Sequence, residues 1–204
     1  MSTPDEIHEM LVGICNEQRG VNLDTLESVI ILAMEIAREG REGRKIGTMF
    51  VVSDSEATLA QSHPLILDPL WFHPDEKKRL DDPNLRETVK ELAQLDGAFI
   101  VSDDGVVISA CRYINASSKG IELPLGLGSR HMAAASISRE TNAIAVVVSE
   151  SSVVRIFEDG EIISEIIPEL WLLSRYGLHL NKPFTMRSSE KLTVASKEET
   201  QKGG

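Results

Sequence analysis

Cysteine is scarce in this chain: Cys15 and Cys111 are the only two among 204 residues. That excludes a disulfide framework, and their separation fits no zinc-ligand spacing, so both read as reduced, buried thiols. Long apolar runs are missing too, which leaves no stretch for a membrane span and no membrane partner. The opening "MSTPDEIHEM" lacks the basic and then apolar layout of a signal peptide, so the expected location is cytoplasmic. Basic residues are outnumbered, 21 Lys and Arg against 32 Asp and Glu, for a net charge of −11. Nucleic-acid backbones demand a basic face, so no nucleic-acid partner is expected. A phosphate-bearing ligand would need a divalent cation and a few local basic residues to neutralise it.

What is present suits one globular domain with an appendage: 42% hydrophobic and 26% charged residues, enough to bury a core. Thr3, Pro4 and Glu6 form a capping box ahead of Ile7, Met10, Leu11 and Ile14, predicting an amphipathic helix over residues 1–20. Asp24 and Glu27 cap a second helix, whose stripe of Leu26, Val29, Ile30, Ala33, Met34 and Ala37 ends at Gly40. "KIGTMFVV" reads as a buried strand. A proline-broken segment follows, "SEATLAQSHPLILDPLWFHPDEKKRLDDP", expected to be a surface connection with one short strand. Its His63 and His73 lack supporting ligands and read as loop residues.

From Asn84, the spacing of Leu85, Val89, Leu92 and Ala93 predicts a third helix. "AFIV" and "VVISA" around Asp104-Gly105 predict a hairpin. A helix over "RHMAAASISRE", a strand over "NAIAVVVSE" and a second hairpin turning at Asp159-Gly160 come next. A last helix is expected near "PELWLLSRYG", and the polar residues 184–204 read as a disordered tail. Helices alternating with strands and hairpins predict an α/β fold, a mixed central β-sheet surrounded by helices, with the domain proper at residues 21–183.

Three junctions place polar residues at the ends of apolar elements, where strand ends form a ligand crevice. They are Asp96-Gly97, Gly128-Ser129-Arg130-His131 and Ser149-Glu150. Each alone has a structural explanation: a helix end, a helix cap, the start of a loop. Together, a carboxylate, an imidazole, a guanidinium and a helix N-terminus are the parts that hold a phosphate and a divalent ion beside a hydroxyl nucleophile.

The sequence "DGA", followed some thirty residues on by "GSRH" and then by "VVVSE" before a hairpin, resembles the diadenylate cyclase (DAC) domain family over roughly residues 24–165. Two departures are visible. Ser129 stands where the family has threonine, keeping the hydroxyl, and Met132 stands where it has a second arginine. The resemblance implies two ATP molecules joined into cyclic di-AMP with loss of two pyrophosphates, between face-to-face protomers of a homo-oligomer. It implies a divalent cofactor, manganese or magnesium with cobalt as a further choice. Asp96, Gly97, Arg130 and His131 would carry catalysis, and Asp96, His131 and Glu150 would bind metal. Ala98, Tyr113, Ile114, Gly128, Ser129, Arg130, Ser149 and Glu150 would hold the nucleotide, with Tyr113 stacked on the base.

Two other readings remain open on the sequence. One is a binding module that retains nucleotide or cyclic di-AMP without cyclising, with Met132 as the sign of decay. The other is a phosphohydrolase using Asp96, His131 and Glu150 to activate water.

Overall fold

The computed structural model describes residues 21–168, 184–189 and 192–197. The expected helix over 1–20 and the one near 168–177 lie wholly or almost wholly outside them. Helix α1 (Leu23–Glu39) starts at Asn22, whose side chain accepts from the Thr25 N–H at 3.1 Å. The expected cap at Asp24 is therefore corrected: Asp24 sits in the first turn, where its charge complements the helix dipole. The C-terminal prediction holds, since Gly40 closes the helix at φ 59°.

The remaining order is β1 (Thr48–Val52), α2 (Ser55–Ala60), β2 (Ser62–Pro64), a 3-10 turn (Asp75–Lys77), α3 (Pro83–Leu92), β3 (Ala98–Val101) and β4 (Val107–Ile114). Then come α4 (Ser129–Glu140), β5 (Ile144–Val148), β6 (Val154–Glu158) and β7 (Glu161–Ile166). Seven strands form one mixed sheet in the order β2-β4-β3-β1-β5-β6-β7, with β1 parallel to β3 and every other pair antiparallel. The expected α/β class with a mixed sheet is what is found.

Alternation along β1 sets the layers. Phe50 and Val52 face a core shared with α1 and α3, whereas Met49 and Val51 face a second core shared with Ala134, Ala135 and Ile137 of α4. All five residues of β1 are buried, each large apolar side chain contributing about 1.5–3 kcal/mol by its removal from water. Lys90 of α3 is itself buried and bonds Glu35 and Glu39 of α1 as well as Glu87 of its own helix, at 3.0, 3.4 and 2.8 Å. The pairs with Glu35 and Glu39 tie α3 to α1.

The segment after β1 holds the expected short strand, β2, and also α2, which at six residues is too short to show a helical period. Asp68 pins the connection to β4: it accepts from the Ser109 hydroxyl and the Ala110 N–H, and from Leu70 of its own loop. Residues 184–197 also differ from expectation. Strands β8 (Phe184–Ser189) and β9 (Leu192–Lys197) pair antiparallel in place of a disordered tail; Thr, Val and Phe alternating with polar residues give this stretch a strand-forming pattern. Among the described residues no helix is long and apolar enough to cross a membrane.

Candidate active site

Sheet register brings the three junctions to one end. Because β1 and β3 are parallel, with Met49 beside Ala98, their first residues lie next to each other. Strand β5 runs the other way, Val148 beside Thr48, so its last residue reaches the same edge. Gly47, Asp96-Gly97 and Ser149-Glu150 are thereby neighbours although far apart in sequence. Strand β4, antiparallel to β3 with Arg112 beside Ala98, delivers Tyr113 there as well.

Helix α4 completes the group. Its second residue, Arg130, lies between the two carboxylates: Nη2 donates to Asp96 Oδ1 and Nη1 to Glu150 Oε1, each at 3.3 Å. The carboxylates are 85% and 70% exposed and the guanidinium 35%. Ion pairs this open contribute little to stability and are readily exchanged for another anion or cation. The N-cap of α4 is Gly128 rather than Ser129; among the described residues no side chain caps the helix, and its first turn holds no acidic residue. Its positive dipole end therefore faces the same edge without compensation.

His131, one residue further along α4, turns inward. It is buried, 6.1 Å from the Phe157 ring, and Nε2 lies 3.3 Å from Arg155 Nη1. Arginine can only donate, so Nε2 accepts and the ring proton belongs on Nδ1, which is buried without a partner among the described residues. Burial pushes the His131 pKa below its ordinary value, and the nearby Arg155 and Arg130 push it further against the pull of Glu165. The imidazole is thus held neutral. Among the described residues no three His, Cys, Asp or Glu side chains form a ready metal cage; Asp96 and Glu150 meet through Arg130, and His131 is engaged with Arg155.

The other predicted residues divide. Tyr113 is 53% exposed, with its ring 5.2 Å from that of His63 across the β2–β4 pair. Ile114 and Ala98 are buried in the core beneath α4. Ser149 holds its own turn: its Oγ lies 2.8 Å from Ser151 Oγ and accepts from the Ser151 N–H. Gly97 has a reason internal to the sheet. At φ 106°, a Cβ there would stand 2.6 Å from the Cys111 carbonyl carbon and 2.7 Å from the Arg112 nitrogen, where β4 bulges and Cys111 itself adopts φ 56°. The close approach it permits in this structure is that of β4.

Two site residues escaped the sequence reading. A Cβ on Gly47 would lie 2.5 Å from Arg130 Nη1 and 3.2 Å from Glu150 Cγ, so the bare backbone of "KIGT" makes room for the ion-pair bridge. No local sequence signal marks it. Arg155 did carry one: an arginine inside the apolar run "VVRIF" is a cation placed where a strand is largely buried.

The family model described as the DisA bacterial checkpoint controller nucleotide-binding (DAC) domain matches residues 35–162. A protein of Methanocaldococcus jannaschii named diadenylate cyclase is 49% identical over 150 residues, 73% of this chain and 47% of its own length. One of the same name from Haloferax volcanii is 40% identical over 149 residues, 72% of this chain and 54% of its own. The chain thus spans about half the length of the curated relatives it matches. Among solved structures, a double mutant of DacA from Staphylococcus aureus shares 21% identity at a TM-score of 0.45, covering 74% of this chain and 94% of that one. A protein from Bacillus cereus titled a hypothetical membrane spanning protein shares 23% at the same score, covering 68% and 61%.

Proposed function

Since the chain belongs to the diadenylate cyclase (DAC) domain family, we propose that it condenses two ATP molecules into cyclic di-AMP and two pyrophosphates. Each 3′-hydroxyl attacks the α-phosphate of the other nucleotide. The observation that carries this reading is the Arg130 bridge, which joins "DGA", "GSRH" and "VVVSE" at one exposed edge.

Positioning and charge neutralisation do most of the work in such a displacement. Arg130 offers its fork to phosphate oxygens, exchanging carboxylates for phosphate, and the uncapped start of α4 with the Ser129 hydroxyl takes up another oxygen. Asp96 accepts the hydrogen bond of the 3′-hydroxyl and receives its proton as the new P–O bond forms and pyrophosphate departs. Tyr113, half exposed at the same edge, gives the adenine a face to stack on. Gly97, by admitting the bulge of β4, sets where Asp96 stands.

The donor set fits a divalent cation that arrives on the triphosphate. Magnesium and manganese take one or two carboxylates and leave the rest of their shell to phosphate and water, so an all-protein cage is not required. Asp96 and Glu150 would hold the ion; His131, the third ligand that the resemblance implies, would have to give up its Nδ1 proton and its bond with Arg155 to join them. When bound, such an ion withdraws charge from the phosphate oxygens.

Each protomer presents one nucleotide, so the reaction needs two sites face to face in a homo-oligomer. Incubation with ATP and Mn²⁺ followed by mass spectrometry tests the reading: cyclic di-AMP and pyrophosphate are expected, and both should vanish in Asp96→Asn. Tight ATP binding with no product under Mn²⁺, Mg²⁺ or Co²⁺ would instead establish a binding module, the alternative that Met132 favours.

A further inference from the structure

The Arg130 guanidinium is already shared by two carboxylates, and a triphosphate would bring several more negative charges to an edge lined by Asp96 and Glu150. One arginine is a thin supply of positive charge for that load. Position 132, next along the helix from His131, is a methionine. A further cation touches His131: Arg155, whose Nη1 lies 3.3 Å from His131 Nε2.

Arg155 is built in. It is the second residue of β6 and lies beside Val147 of β5, a residue of the core under α4. Residues directly opposite in a sheet project to one face, so Arg155 lies on the α4 side, near the strand end that carries the site. Glu165, opposite it on β7, binds Nε. The side chain is only 14% exposed. With Nε on Glu165 and Nη1 on His131, Nη2 keeps its two N–H donors without a partner among the described residues. Arg130 and Arg155 thus flank His131 from two different elements.

We propose that Arg155 is a second phosphate-binding arginine of the site, supplying from β6 the positive charge that Met132 does not supply from α4. This rests on reading the edge as an ATP site. Glu165 and His131 hold its fork in one orientation, so little side-chain freedom is lost when phosphate binds.

The test compares ATP with adenosine, which shares the base and ribose and lacks the phosphates, as ligands of wild type, Arg155→Ala, Arg155→Gln and Met132→Arg/Arg155→Gln. Glutamine can still donate to His131 and carries no charge, so it covers the case in which the alanine variant does not fold. Loss of a charge-assisted bond predicts ATP binding weakened by about tenfold to a hundredfold, adenosine binding within about twofold of wild type, and recovery of most of the ATP affinity when Met132→Arg is added. ATP affinity within twofold of wild type in Arg155→Gln would overturn the proposal. So would equal losses for ATP and adenosine, which would make Arg155 a purely structural residue, and so would wild type with no ATP affinity. The cyclase reading fails separately: wild type that binds ATP without forming cyclic product sinks it and leaves this comparison standing.

Discussion

Asp96→Asn deletes a proton acceptor and a charge while preserving shape, so turnover should fall by at least about a hundredfold, as expected for loss of a general base. ATP affinity should change little, whereas Arg130→Ala should lower both, and steady-state kinetics beside calorimetry separates the two patterns. Gly47→Ala places a methyl group where Arg130 Nη1 now lies; the flexible guanidinium must swing off Glu150. The fold should survive, with thermal unfolding near wild type, while kcat/KM falls. The contrast between these positions explains what could be read in advance. Asp96, Arg130 and Glu150 are charged residues at the ends of apolar runs, and they announced themselves. Gly47 contributes by having no side chain, a property visible only once Arg130 is seen crossing above it.

Helices and strands carry the second level of constraint. At Gly97 a side chain would run into the β4 backbone at an unfavourable φ, so Gly97→Ala should cost at least about 2 kcal/mol, measured by denaturant unfolding, and should lower turnover by shifting Asp96. Between α1 and α3, burial pushes the Glu39 carboxyl up, but hydrogen bonds and charge from Arg38 and Lys90 outweigh it and hold the pKa below its ordinary 4.5. A carboxyl lowered on folding contributes stability that is present above pH 4.5 and lost as the pH falls through its folded value. Thermal unfolding should therefore move to lower temperature on acidification below pH 4.5. Lys90→Met should already be destabilised by about 1–2 kcal/mol at neutral pH, with Glu35, Glu39 and Glu87 left facing one another, and should lose less on acidification. The sequence pattern showed α1, α3, α4 and both sheet hairpins because each is long enough to repeat its period or carries an Asp-Gly turn. Helix α2 is a single short stretch, and the cap at Asn22 competes with Asp24 on equal chemical terms until the backbone decides. The strand pair β8–β9 was hidden by polar composition.

On the scale of the whole molecule, the proposed reaction requires two protomers to meet for one product to form. Specific activity should accordingly fall as enzyme is diluted at fixed ATP, whereas ATP bound per chain should not; a flat activity profile across the dissociation range seen by light scattering would count against the face-to-face arrangement. The layered α/β architecture was legible from alternating elements. Strand order was not, because local pattern does not say that β1 takes β3 on one side and β5 on the other. That central placement of β1 governs how the chain reaches its native state. Gly47, Asp96, Arg130 and Glu150 belong to contacts of long sequence separation, and closing such loops slows folding. On a ribosome the edge cannot assemble until the chain has emerged past Glu150, so nascent fragments hold hairpins and helices but no site. Competence for chemistry should arrive late and all at once, and hydrogen exchange pulsed during refolding should find the amides of β1 and β5 gaining protection together, after those of the β3–β4 and β6–β7 hairpins.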